Sequence, residues 1–94
     1  MKADSMRYLA QAYFHQDYDL EAEEPIQILT EFRQVEPPEV VEELRASLEQ
    51  ILASGMGEGG LAEVWLETAG ASYDPRQDGI AMSLWFHQVI DALT

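Results

Sequence analysis

The sequence predicts a small all-α domain, a bundle of about five helices that occupies residues 1–94 as a single unit. Apolar side chains recur at helical spacings of three and four residues in several segments, and no pair of segments alternates as two adjacent strands would. The 94 residues, of which 47% are hydrophobic and 10% aromatic, suffice for one core but not for two.

The first two helices are separated by an acidic stretch that we expect to be a loop. The first is predicted from Asp4, a good N-cap residue, to about residue 15. Its inward-facing residues are Met6, Leu9, Ala10 and Tyr13. The second is predicted to begin at Pro25, which suits a first helical turn, and to end before Pro37. Its inner face is predicted to consist of Ile28 or Leu29, Phe32 and Val35.

The third helix has the clearest pattern in the chain and follows the two prolines Pro37 and Pro38. Its apolar stripe is Val41, Leu44, Leu48 and Ile51. Gly55 is a plausible C-terminal glycine for this helix. Residues 55–60 hold four of the six glycines, so this segment is predicted to be a loop without regular structure.

Two more helices are predicted in the last third of the chain, separated by turn signals in residues 74–79. The fourth covers residues 61–69, and Gly70 ends it. Its inner face is predicted to be Leu61, Val64, Trp65 and Thr68. The last helix is predicted to bury Met82, Trp85, Phe86, Val89 and Leu93. Most of the nine aromatic residues are expected in the core, with Tyr18 as the exception because two aspartates flank it.

The charge of the chain restricts its partners. Eighteen acidic residues against five basic ones give a net charge of −13, which repels nucleic acids and anionic membranes. The chain has no cysteine, no apolar run long enough to cross a bilayer and no signal-peptide pattern at its N-terminus. We therefore expect a soluble, cytoplasmic protein, either a monomer or a weak homodimer.

The acidic residues are unevenly distributed. Residues 17–49 hold eleven of them against Arg33 and Arg45, a net charge of −9 in about a third of the chain. On the third helix, Glu39 faces both Glu42 and Glu43 at helical spacing, which costs a few tenths of a kcal/mol for each like-charge pair. Such a concentration of charge either solubilises the protein or forms a docking surface for a basic protein.

Neither metal binding nor catalysis is favoured. Residues 17–21 begin like a calcium loop, but Ala22 stands at the position that needs glycine and Ile28 at the position that needs glutamate. His15 and His87 could exchange protons near neutral pH, but nothing in the sequence brings them together. We therefore expect no metal, no cofactor and no enzymatic activity.

Several motifs follow one another along residues 8–93. The most specific is the run from Tyr13 to Leu20, in which aromatic residues surround His, Gln and Asp. The others are Pro38-Glu39-Val40-Val41, Tyr73-Asp74-Pro75, Asp78-Gly79-Ile80 and Trp85. In this order, the motifs resemble the immunity proteins of bacterial contact-dependent growth inhibition (CDI) systems.

The resemblance implies a cytosolic protein that binds the C-terminal toxin domain of a large secreted effector without catalysing a reaction. Such toxin domains are often nucleases. An acidic surface would then occlude the basic substrate site of the toxin. The candidate toxin-binding residues are Asp17, Tyr18, Asp19, Glu21, Glu23, Glu24, Glu39, Glu42 and Glu43. The alternative is a small acidic carrier or adaptor of an enzyme complex, suggested by the small size and by Ser5, which follows an aspartate as the modified serine of acyl carrier proteins does.

Overall fold

The structure is a computed structural model that describes residues 4–15 and 24–94, with the backbone alone at Asp4. These residues form five α-helices and no strand, which confirms the all-α prediction. The elements are α1 (Asp4–Tyr13), α2 (Pro25–Val35), α3 (Pro38–Ala53), α4 (Glu58–Ala62) with a π-helical continuation (Glu63–Thr68), a 3-10 turn (Pro75–Asp78) and α5 (Met82–Leu93).

Helix α5 is central to the bundle because it packs against α2, α3 and α4. Helix α1 lies across α2, α3 and the π-helical segment. The predicted apolar stripes of α3 and α5 are confirmed. The buried residues on these two helices are Val41, Leu44, Leu48 and Ile51 on α3 and Met82, Trp85, Phe86, Val89 and Leu93 on α5.

The predicted helix ends are confirmed at several positions. Pro25 stands in the first turn of α2, and Pro38 stands in the first turn of α3. Gly55, after α3, and Gly70, after the π-helical segment, have φ values of 78° and 81°. These left-handed conformations cost a residue with a side chain more than they cost glycine.

Val35 and Thr68, which were predicted to face the core, are exposed, and so is Tyr8, although most of the aromatic residues were expected in the core. Val35 is 64% exposed because the buried stripe of α2 ends at Phe32, and the chain turns towards α3 directly after Val35. Thr68 is exposed, and Ala69 is buried instead, because the π-helical segment shifts side chains away from α-helical spacing. Tyr8 is 45% exposed, since its ring lies at the edge of α1 with its hydroxyl on Glu36.

The prediction of an irregular loop over residues 55–60 is wrong in its second half. Helix α4 begins at Glu58 and includes Gly59 and Gly60. A Cβ atom at Gly60 would collide with the side chain of Met56, so the lack of a side chain permits a close approach here. The acidic residue Glu58 also suits a helix N-terminus.

Within the described ranges, no helix is both long and apolar enough to traverse a lipid bilayer.

Candidate functional site

The three acidic residues predicted on the third helix are all exposed on α3, but they differ in their partners. Glu42 pairs with Arg45, which also donates to Glu49 at 3.2 Å. These contacts, first of all the one with Glu42, raise the pKa of Arg45. In the part of the chain that the structure describes, Glu39 and Glu43 have no salt bridge, so they present negative charge that no nearby cation offsets.

Glu43 borders a groove between α1 and α3 with a volume of about 320 Å³. The groove is lined by Ser5, Tyr8, Glu36, Val40 and Glu43. Two of these side chains are carboxylates and none is basic, so the groove is open to a cationic group.

Glu36, which the sequence analysis did not select, is oriented by two tyrosines of α1. The hydroxyl groups of Tyr8 and Tyr13 both donate to Glu36 Oε2, at 2.7 and 2.6 Å. These bonds raise the pKa of Tyr8, and burial followed by the same bond raises the pKa of Tyr13. Glu36 is 28 positions from Tyr8 and 23 from Tyr13 in the chain, so no local sequence pattern indicates these contacts.

The rings of these tyrosines form a small aromatic cluster with Phe32 of α2. Tyr13 packs edge-on against Phe32 at a centroid distance of 5.0 Å, and Tyr8 lies 6.2 Å from both rings. Phe32 is fully buried, whereas Tyr8 is partly open to solvent. The cluster therefore holds an exposed aromatic side chain in a fixed position beside Glu36.

Glu24 lies at the opposite end of α2 and lines a second hollow of about 300 Å³. This hollow also includes Asp78 and the buried Trp85, whose Nε1 has no acceptor among the described residues. The backbone N–H of Glu24 donates to Gln27 Oε1 at 3.2 Å in a capping box. Since α2 rises about 1.5 Å per residue, Glu24 lies roughly 18 Å from Glu36.

The predicted site is thus not one cluster in the described residues. Glu39, Glu42 and Glu43 share α3, whereas Glu24 borders a different hollow. The other candidates lie outside the described residues. They are Asp17, Tyr18, Asp19, Glu21 and Glu23.

In the described residues, the motifs that carry the family resemblance have a structural role. Phe14 is fully buried, with its ring 5.3 Å from Trp65 and 5.7 Å from Trp85 between centroids. Tyr73 stacks on Phe14 at 6.0 Å, and its hydroxyl donates to Asp78 Oδ2 at 3.0 Å. These aromatic residues, one directly after α1, one in the π-helical segment, one in the segment that follows it and one in α5, form the centre of the core.

The turn motif after the π-helical segment is also structural. Asp74 accepts a hydrogen bond from the backbone N–H of Arg76 at 3.0 Å and pairs with its guanidinium at 2.8 Å. This pairing lowers the pKa of Asp74. Gly79 ends the turn with a φ of 75°, in the left-handed region.

The sequence analysis considered Ser5 for a carrier function and His15 and His87 for proton exchange. Ser5 is only 6% exposed, and its hydroxyl lies 3.4 Å from the hydroxyl of Ser47, so a modifying enzyme has little access to it. His15 is half-buried after α1, and His87 is exposed on α5. The described ranges contain no group of three or more His, Asp or Glu side chains that could hold a metal ion.

Comparisons with known proteins agree with the resemblance noted in the sequence. The sequence model of a family described as CdiI immunity protein matches residues 2–93. A chain in the crystal structure of a CdiA-CT/CdiI complex from Y. kristensenii 33638 superposes with a TM-score of 0.92 at 19% identity, over 100% of both chains. At that identity the match shows a shared fold. A comparison of the sequence with curated proteins gives no match.

Proposed function

The chain belongs to the CdiI immunity protein family, and we propose that it binds and neutralises the C-terminal toxin domain of its cognate CDI effector. The match to the family over residues 2–93 carries this proposal. The shared fold supports it, because the matching crystal structure is that of a CdiA-CT/CdiI complex.

We further propose that neutralisation is steric and electrostatic rather than catalytic. An acidic surface would cover the basic residues with which the toxin holds its substrate, and each carboxylate would replace a substrate phosphate. We propose that the substrate of the toxin is a nucleic acid. A toxin needs basic residues to bind the phosphates of a nucleic acid, and the acidic surface of this protein would complement those residues in charge. No cofactor is needed, and the protein itself avoids nucleic acids because of its net charge of −13.

Among the described residues, the proposed acidic contacts lie at two separate places, on α3 and at the start of α2. Glu39 and Glu43 are exposed on α3 without a nearby cation in the described residues, and Glu24 is exposed at the start of α2. Glu42 contributes less in our proposal, because Arg45 already pairs with it. The remaining proposed contacts are Asp17, Tyr18, Asp19, Glu21 and Glu23.

Long-range attraction is the expected kinetic consequence. A negative surface that meets a positive one accelerates encounter, and association rates approach about 10⁸ M⁻¹s⁻¹ at low salt. Because salt screens this attraction within about 8 Å at physiological ionic strength, the association rate should fall steeply as salt rises.

The test uses the toxin domain encoded in the reading frame upstream. Cells that produce this domain should survive only when the immunity protein is co-produced, and the two proteins should co-elute as a 1:1 complex. Survival without this protein, or failure of the two proteins to bind, would contradict the proposed function.

Charge variants then test the acidic surface separately. The triple variant E39Q/E42Q/E43Q should associate at least several-fold more slowly at low salt, with a weaker salt dependence. The variant E63Q/E67Q is the control, because both residues are exposed and line a different hollow, with Arg76. Equal association rates for both variants would leave the immunity function intact but exclude α3 from the interface.

A further inference from the structure

We propose that the groove between α1 and α3, together with the exposed Val35 that precedes Glu36 in the chain, is the toxin-docking surface, and that Glu36 receives an arginine or lysine of the toxin there. This inference rests on the proposed function and deepens it. The acidic surface predicted from the sequence is defined by charge alone. The docking surface proposed here is instead centred on a partly apolar groove around one oriented carboxylate.

Glu36 is prepared to bind a cation. Both tyrosine hydroxyls donate to Oε2, and Oε1 accepts no hydrogen bond from the described residues. The carboxylate is therefore held in one orientation while one oxygen stays available. A guanidinium that pairs with a carboxylate fixed in this way loses less entropy on binding than one that must first order its partner.

Tyr8 supplies an aromatic contact next to that carboxylate. Its side chain is partly exposed, and its position is fixed by the hydroxyl bond to Glu36 and by ring contacts with Tyr13 and Phe32. Rigid, partly exposed tyrosines are common binding hot spots, and an arginine over the ring adds a cation–π attraction. The toxin cation would thus meet a carboxylate and an aromatic face at the same point.

The proposed docking surface also has exposed apolar side chains, which a bound partner would bury. Val35 precedes Glu36 in the chain and is one of four large hydrophobic residues that are exposed in the described part of the protein; Tyr8 is another. Val40, half-buried, lines the groove. Exposed apolar side chains with a polar rim are typical of protein interfaces.

Charge selects a basic toxin as the occupant rather than a second copy of this chain. The carboxylates at the groove belong to Glu36 and Glu43, with the exposed Glu39 one helical turn before Glu43, and no lysine or arginine among the described residues lines it. A second copy would bring the same carboxylates and another net charge of −13 to the interface. Like charges placed opposite each other disfavour that arrangement, whereas a basic surface fits it.

A pair of substitutions of opposite charge at Val35 tests the surface without removing any hydrogen bond. The affinity of each variant for the purified upstream-encoded toxin domain is measured at 150 mM NaCl. We expect V35K to weaken binding roughly 10-fold or more by repelling the basic toxin, and V35E to bind at least 5-fold more tightly than V35K. Because Val35 is mostly exposed, both variants should keep the thermal stability of the parent protein.

Two variants test the cation site. E36Q keeps an oxygen for the tyrosine hydroxyls but removes the charge, so it should weaken binding roughly 10-fold, whereas E67Q should change it less than 2-fold. Y8A should weaken binding by a similar factor through loss of the ring.

The outcomes separate the two proposals. If the parent protein does not bind the toxin, the proposed function is wrong. If the parent binds but V35K, E36Q and Y8A bind as tightly, the protein is an immunity protein that docks elsewhere. If V35K instead dissociates a homodimer of this chain, the surface belongs to self-association and the inference is also wrong.

Discussion

The carboxylate of Glu58 accepts hydrogen bonds from the backbone N–H groups of Met82 at 2.6 Å and Ser83 at 3.0 Å. A side chain in the first turn of α4 thereby caps the first turn of α5, 24 residues later in the chain. Because the first N–H groups of a helix have no partner within the helix, this contact fixes α4 against the central helix.

Removing the cap should lower the thermal stability. We expect E58A to lower the melting temperature by roughly 4–8 °C at pH 7, as the loss of an N-cap does in a domain of this size. The substitution E58Q should cost less, since its amide oxygen still accepts a hydrogen bond. Melting followed by circular dichroism measures both effects, and E67Q is the exposed control.

The effect of Glu58 should depend on pH. Hydrogen bonds from Ser83 hold the pKa of Glu58 below its ordinary value of 4.5. A carboxyl group with a lowered pKa in the folded state stabilises the protein above about pH 4.5, and this contribution disappears as the pH falls through the lowered pKa. The difference between the parent and E58Q should therefore shrink at pH 3. An equal difference at pH 3 and pH 7 would show that the charge of Glu58 is not involved.

Alanine should be better than glycine at one position of α4. Gly59 lies inside the helix, and a Cβ atom there would meet nothing within 4 Å. G59A should therefore stabilise the protein by about 0.5–1 kcal/mol, because alanine loses less conformational entropy on folding. Urea unfolding measures the change.

The matched control for this substitution is Gly79. A Cβ atom at Gly79 has equal space, but the φ of 75° strains any other residue there. G79A should destabilise the protein by about 1 kcal/mol. Similar effects of both substitutions would contradict the assignment of Gly59 to a helix.

Periodicity predicted most of the fold because single-faced helices leave a local signal. The stripe from Val41 to Ile51 is buried as predicted. The start of α4 could not be predicted in the same way, because the glycines at residues 59 and 60 indicate a loop. The contact that orders this helix, from Glu58 to Met82, joins distant residues.

The candidate site was less predictable than the fold. Charge density selected residues on α3 that are indeed exposed, but it did not show that Arg45 pairs with Glu42. Glu36 was missed because its role depends on two tyrosines of another helix. The positions of acidic residues can be read from the sequence. The orientation of a carboxylate depends on contacts between helices, which only the structure shows.

The two tryptophans of the core should respond differently to substitution by phenylalanine. Both are 1% exposed, but Trp65 Nε1 donates to the carbonyl oxygen of Tyr73 at 2.8 Å, whereas Trp85 Nε1 has no acceptor among the described residues. W65F loses the hydrogen bond to the carbonyl oxygen of Tyr73, whereas W85F removes a buried donor that has no acceptor among the described residues.

Both variants lose similar volume, so the difference between them isolates the hydrogen bond. W65F should be less stable than W85F by about 1–3 kcal/mol. Urea unfolding followed by far-ultraviolet circular dichroism measures this difference independently of tryptophan fluorescence. If W85F were the less stable of the two, Trp85 Nε1 would have a partner of its own.

Removing the charge of Glu36 should change the pKa of Tyr8 more than the pKa of Tyr13. The pKa of both is raised from 10.0, mainly by the bond to Glu36 at Tyr8 and mainly by burial at Tyr13. A group whose pKa is raised in the folded state stabilises the protein below pH 10, and this contribution is lost as the pH rises beyond that value. In E36Q, the pKa of Tyr8 should fall towards its ordinary value, whereas the pKa of Tyr13 should stay raised by burial. Titration by ¹³Cζ NMR, assigned with Y8F and Y13F, measures both, and equal shifts would show that burial does not distinguish the two tyrosines.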